Sequence, residues 1–133
     1  MDSLRVHSNL PPDLESLVRE TIGCCLAVHV ELGPGLIEGV YSRAVAIELA
    51  ARQIPFETEK SIPVRYRGTL LCHQRLDFFI DKRLVLELKS IEQINPIHVA
   101  QGISYLRVTG SRVGLLVNFN VPILKQGIRR IVS

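Results

Sequence analysis

The stretch that decides the fold is RLDFFIDKRLVLELKS, Arg75 to Ser90. Two short apolar runs flank Asp81-Lys82, a turn-forming pair, so the segment reads as a β-hairpin. Successive side chains in a strand point to opposite faces. Leu76, Phe78, Leu86 and Leu88 then define one face, and Asp77, Glu87 and Lys89 fall on the other. Antiparallel pairing through the turn sets Asp77 nearly opposite Glu87. Like charges facing each other across strands destabilise a sheet, so the arrangement needs something to offset it. A hard cation held by carboxylate oxygens would do so. A solvated polar face with a Glu87–Lys89 pair is the plain alternative.

Working outward, Ile62, Val64 and Tyr66 alternate with polar neighbours, and Pro63 places that strand at a sheet edge because it cannot donate to a ladder. Gly68 turns the chain into the next strand, where Leu70, Cys72, Leu76, Phe78 and Ile80 share one parity. Upstream, Leu14, Leu17, Val18, Ile22, Cys25, Val28 and Leu32 recur with helical period and predict a helix from Asp13 to Leu32. The sequence GPG at 33–35 stops it. A second helix is predicted from Leu36 to Arg52, with Val40, Ala44, Val45, Ile47 and Leu49 available for packing.

Downstream, Asn95 is a good N-cap and Pro96 suits the first helical position. Val99, Ile103 and Leu106 form the buried stripe of that helix. The run RVGLLVNF is apolar on both faces and predicts a strand inside the sheet. Strand, helix, strand in this order implies a parallel pair joined by a right-handed crossover. The chain then ends in a basic segment around Lys125, Arg129 and Arg130. The expectation is an α/β protein with a mixed four-stranded sheet flanked by helices, in the order ααβββαβ. Its 133 residues fit one domain spanning 1–133, with residues 1–10 a loose N-terminal arm.

Composition narrows the classes. Cys24, Cys25 and Cys72 are odd in number and lack a CxxC spacing, which argues against a disulfide framework or a zinc site. They are expected to be small buried thiols in a reducing compartment. No apolar run approaches membrane-spanning length and no apolar leader opens the chain, so a cytoplasmic protein without a membrane partner is expected. The net charge of +3 permits an anionic partner without requiring one.

Two helical patterns add to the hairpin. Glu38 opens the second helix, with Tyr41 one turn later; an acid there also suits the helix dipole. Gln101 and Tyr105 are an i,i+4 pair with His98 one turn before, all off the apolar stripe. An exposed polar face is the plain alternative for these three.

Gly35, Glu38 and Tyr41 match the pattern that names the GxxExxY family, and HVAQGISYL and LLVNFNVPILKQGIRRIV also resemble it. The resemblance runs from Leu14 onward. It implies the PD-(D/E)XK nuclease-like superfamily, with a restriction-endonuclease-like core in αβββαβ order. By that resemblance Glu38 is the helical acid, Asp77 the strand aspartate, and Glu87 and Lys89 the E-x-K pair. Gln101 and Tyr105 match the Q-x-x-x-Y of the exonuclease-like branch. Leu76 stands where the superfamily's name places proline.

The resemblance further implies a nuclease that hydrolyses phosphodiester bonds of DNA, or else RNA, with Mg²⁺ or Mn²⁺. Asp77, Glu87 and the carbonyl of Leu88 would hold the ion, and Glu38 would reach it through water or hold a second one. Lys89 would position the attacking water or neutralise developing charge. Gln101 and Tyr105 would orient the substrate backbone or the helix. Arg65, Arg67, Arg75 and Arg107 are the candidates for phosphate contacts, with Tyr41 and His98 beside them. Two other readings compete: a non-catalytic nucleic-acid-binding or regulatory module, and a homodimeric enzyme like the Holliday-junction resolvases. For a homodimer, the edge strand with Ile62, Val64 and Tyr66 is where a second copy could add.

Overall fold

Residues 9–133 are described by the structure, a computed structural model. Of the arm expected over residues 1–10, positions 1–8 therefore lie outside the described residues. Leu10 packs against the core, and the carbonyl of Asn9 accepts a hydrogen bond from Arg112 at 3.1 Å.

Helix α1 spans Pro12–Leu32 and α2 spans Glu38–Ala51. They are followed by strands β1, Phe56–Tyr66, β2, Thr69–Ile80, and β3, Leu84–Lys89. Helix α3, Pro96–Thr109, leads to β4, Val113–Asn118, and a short 3₁₀ turn at Leu124–Gly127 leads to β5, Ile128–Val132. The sheet order is β1-β2-β3-β4-β5, with β3 and β4 parallel and every other pair antiparallel. The expected element order holds as far as β4.

The sheet has five strands where four were expected. The basic segment is β5: Ile128 and Ile131 are buried, and Arg130 is neutralised by Glu15 of α1 through two bonds of 2.8 and 2.9 Å. A buried bidentate pair of this kind lets an arginine sit in a strand against the core. Losing one partner of such a pair typically costs about 3–5 kcal/mol.

Two apolar clusters sandwich the sheet. Val18, Cys25 and Val28 of α1 and Tyr41, Val45 and Leu49 of α2 pack on one face, against Phe78, Leu86, Leu88, Leu115 and Val117. On the other face Tyr105 and Leu106 of α3 meet Ile62, Leu76, Phe79, Val85 and Leu116. Val40 and Ile47, expected in the packing of α2, are exposed, because the helix needs only the stripe through Tyr41, Val45 and Leu49. Cys24 and Cys25 are buried, but Cys72 is exposed because its part of β2 lies beyond the helices.

One face assignment is also corrected. Leu76 packs with the α3 cluster and Phe78 with the α1–α2 cluster, although both have the same parity. The register with β1 is unbroken across this point, with Thr58↔Phe78 and Lys60↔Leu76. Both strands therefore exchange faces together between these two pairs, at Glu59 and Asp77, which are not themselves a ladder pair. Glu59 adopts φ 49°, a left-handed conformation rarely found within a strand. That kink is the local event that aims Asp77.

Among the described residues no helix is long and apolar enough to cross a membrane. β1 is the edge strand that Pro63 implied. Pro63 and the left-handed Glu59 both interrupt a ladder, which makes this edge a poor template for adding a strand from another chain.

Candidate active site

The β2–β3 ladder is short, with three couples: Phe78↔Leu86, Phe79↔Val85 and Ile80↔Leu84. Asp81 and Lys82, at φ 50° and 56°, form the two-residue turn at its closed end. At its open end, where Asp77 and Glu87 come next, side chains replace backbone partners. The Asp77 N–H donates to Glu87 Oε2 at 2.7 Å, and the Leu88 N–H donates to Asp77 Oδ2 at 2.8 Å. Both carboxylates are thus tied to the neighbouring strand's segment. Each retains a second oxygen that these two bonds do not use.

Electrostatics register the closeness. Glu87 is buried, and its carboxyl is pushed up to about 8, first by desolvation and then by Asp77 and Glu38. The Asp77 N–H and Lys89 pull it partly back. Asp77 itself is raised, chiefly by burial; the Leu88 N–H and Lys89 oppose the shift and Glu59 adds to it. Glu38, at the first position of α2, is raised by partial desolvation and then by Asp77, with Lys89 opposing. Such mutual perturbation within one cleft is the usual physical mark of a functional site.

Glu38 is placed by a loop with two clamps. Gly33 and Gly35 take φ 68° and 99°, which the chain needs to turn from α1 into α2. The Tyr41 hydroxyl donates to the Gly33 carbonyl at 2.5 Å and accepts the Leu36 N–H at 3.1 Å. The Ser90 hydroxyl, just past Lys89, donates to the Leu36 carbonyl at 2.5 Å. Asn118 holds the next residue, accepting the Ile91 N–H at 3.1 Å and donating to its carbonyl at 2.9 Å. The end of β3 and the start of α2 are therefore fixed to each other through Leu36.

Tyr41, expected at a nucleic-acid surface, is fully buried and stacks on Phe119 at 4.4 Å between ring centroids. Its ring is core and its hydroxyl is a loop clamp, so it cannot contact a substrate. Tyr105, expected off the apolar stripe of α3, is also buried. Its hydroxyl is raised by desolvation and by the charges of Glu87 and Asp77, so it stands behind the carboxylate pair. Gln101 lies one turn earlier and is exposed. His98 Nδ1 accepts the Asn95 N–H at 2.9 Å, closing the start of α3. Arg107 is exposed in the last turn of α3, and Arg65, Arg67 and Arg75 lie on the β1–β2 hairpin.

The open space beside the pair is a cleft of about 510 Å³ lined by Glu38, Ser42, Arg43, Thr58, Glu59 and Asp77, among others. Four of these lining residues, Ser42, Arg43, Thr58 and Glu59, were not anticipated from the sequence. Arg43 and Ser42 sit a turn beyond Glu38 on α2, where helical spacing from Glu38 could have suggested them. Glu59 lies between Thr58 and Lys60, the β1 partners of Phe78 and Leu76, and nothing in FETEK signals its left-handed backbone.

Among the described residues no three His, Cys, Asp or Glu side chains form a metal-holding group. The donor chemistry of the pair still suits a hard divalent cation: two carboxylates with unused oxygens, both raised chiefly by burial and Glu87 further by the charge of Asp77, and peptide oxygens nearby. A family profile described as the PD-(D/E)XK nuclease superfamily matches residues 15–131. No curated protein and no solved structure matches the chain.

Proposed function

The chain belongs to the PD-(D/E)XK nuclease superfamily, and from that premise we propose that it is a metal-dependent nuclease hydrolysing phosphodiester bonds of DNA. The observation that carries the reading is the cross-tied pair of Asp77 and Glu87, with Glu87 held at about 8 beside Asp77, Lys89 and Glu38. The pattern of Gly35, Glu38 and Tyr41 supports the narrower assignment to the GxxExxY group within the superfamily.

In this reading Asp77 and Glu87, with the Leu88 carbonyl, would hold Mg²⁺ or Mn²⁺, and Glu38 would contribute through water or toward a second ion. The chemistry such an ion supplies when bound is neutralisation of phosphate charge and a lowered pKa for water. Lys89 orients the attacking water and offsets negative charge as it develops on the scissile phosphate. Arg43 offers a further cation on the cleft wall. Tyr105 and Gln101 position the substrate backbone or brace α3 against the pair. Burial around Glu87 strengthens each of these interactions by excluding water.

The second reading, a nucleic-acid-binding module without turnover, is favoured by the lack of a three-ligand metal group among the described residues. One experiment separates the two. Purified protein is incubated with single-stranded, duplex and branched DNA in chelator, in Mg²⁺ and in Mn²⁺, with Asp77→Asn alongside. Cleavage that needs the metal and is lost in the variant supports the nuclease. Binding without cleavage in every condition supports the module, and selective cleavage of branched DNA supports a resolvase-like enzyme.

A further inference from the structure

The β1–β2 hairpin outruns the sheet. Its own pairing continues to Tyr66↔Thr69, whereas β2 meets β3 only at Phe78, Phe79 and Ile80. Ile62 and Leu76 root the hairpin on α3. From Pro63 to His73 every side chain is exposed except the half-buried Val64. With Ile62, Gln74 and Leu76 turned toward α3, the period of two puts Arg75 and His73 on the opposite face, that of the Asp77 cleft.

The chemistry of this arm is consistent along its length. There is no Asp or Glu between Lys60 and Leu76. Lys60 pairs with Glu57 and Arg75 with Glu59, but no ion pair engages Arg65 or Arg67 among the described residues. At the tip Tyr66 is 65% exposed, Leu70 44% and Leu71 62%. Unpaired guanidinium groups match phosphates. An open aromatic ring and leucines match base faces, which a duplex keeps stacked and a single strand offers.

We infer that this free hairpin is a track for single-stranded nucleic acid that guides the strand into the Asp77–Glu87 cleft, an inference that rests on the nuclease reading. At about 3.3 Å per residue the tip reaches roughly 23 Å from Glu59. The strand is therefore gripped well ahead of the site of reaction, by cations and stacking that need no base sequence.

The test is fluorescence anisotropy of a labelled single-stranded oligonucleotide and a labelled duplex, both in chelator so that nothing is cut. Wild type is expected to prefer the single strand. Arg65→Ala with Arg67→Ala should weaken single-strand binding roughly tenfold or more, and lower the slope of log affinity against log salt by about 1.4. Tyr66→Ala should weaken it about tenfold with the slope unchanged. Arg65→Lys with Arg67→Lys should restore the slope. Unchanged affinity and slope in the double alanine variant would overturn the inference. So would equal losses on both substrates with no effect of Tyr66→Ala, which would assign the hairpin to duplex phosphates. A single strand that fails to bind wild type would leave the apolar tip to a protein partner and also overturn it. Hairpin-dependent binding without Mn²⁺-dependent cleavage would sink the nuclease reading and uphold the track, whereas cleavage indifferent to the hairpin variants would do the reverse.

Discussion

Asp77 gives its backbone N–H to Glu87 Oε2 at 2.7 Å at the point where the strands carrying them stop pairing. A sheet bond has been exchanged for a carboxylate bond, and the return bond from Leu88 to Asp77 makes the exchange mutual. This keeps two acidic groups buried side by side with their positions fixed. Both carboxyls are raised by that burial, and Glu87 is raised further by the charge of Asp77.

Burial of Glu87, with the charge of Asp77 beside it, has a pH signature. The Glu87 carboxyl sits at about 8 in the folded chain against an ordinary value of 4.5, so the folded state keeps a proton that the unfolded state releases between those values. The folded state then binds more protons, and on this group's account the metal-free protein loses stability as pH rises from about 4.5 to about 8. A cation must displace the same proton, so Mn²⁺ affinity should rise about tenfold per pH unit up to about pH 8 and then level. Titration calorimetry from about pH 6 to about pH 9 measures the slope. In Glu87→Gln the slope should vanish along with most of the affinity; a flat profile in wild type would mean that Glu87 is not a ligand.

Lys89 lies two residues beyond Glu87 and opposes the raised values of Glu38, Asp77 and Glu87. Lys89→Ala should reduce cleavage by at least about a hundredfold, the scale of one well-placed electrostatic group. Mn²⁺ affinity should hold or fall only modestly, since an amine removed from beside two carboxylates takes no ligand with it. Cleavage rates and calorimetry on the same preparation check this. An equal loss of affinity and rate would remove Lys89 from the proposed role.

Periodicity carried most of the fold, because burial on one face imposes period 3.6 on α1, and the pleat of β3 sends Leu84, Leu86 and Leu88 to the α1–α2 cluster and Val85 to the other. It failed where a distant partner changed what a residue could do. Arg130 looks like a solvated end until Glu15, far away in sequence, neutralises it. Leu76 and Phe78 look like one face until Glu59 takes a left-handed backbone that no glycine announces. In the site, Asp77, Glu87 and Lys89 were legible because pairing register follows from the Asp81-Lys82 turn. Arg43 and Glu59 were not, because they meet the pair only through the packing of α2 and the kink in β1.

Tyr41 gives the spacing of Gly35, Glu38 and Tyr41 a physical meaning. Its hydroxyl bridges Gly33 and Leu36, and so sets the entry into α2 and the place of Glu38. Tyr41→Phe keeps the ring stacked on Phe119 but leaves a carbonyl and an N–H without that partner, at a cost of about 1–3 kcal/mol. Thermal melts should show that loss. The cleavage rate should fall further than stability explains at temperatures where the variant is fully folded, with Mn²⁺ affinity at Asp77 and Glu87 little changed. A variant that is destabilised but cleaves at the wild-type rate would show that the clamp serves folding alone.

Asp77→Asn tests the arrangement as a whole. The amide keeps the shape and an oxygen to accept the Leu88 N–H, and it removes one of the charges that raise Glu87 and Glu38. The metal-free variant should therefore be as stable as wild type or more so, although most substitutions at half-buried positions destabilise. Wild type should gain about 2.7 kcal/mol of stability when Mn²⁺ reaches a hundred times its dissociation constant, and the variant should gain almost none. Melts of both proteins in chelator and in Mn²⁺ give the four values. If the variant is less stable without metal and still gains with it, Asp77 is a structural partner of β3. The cation would then have to bind through Glu87 and Glu38 without it.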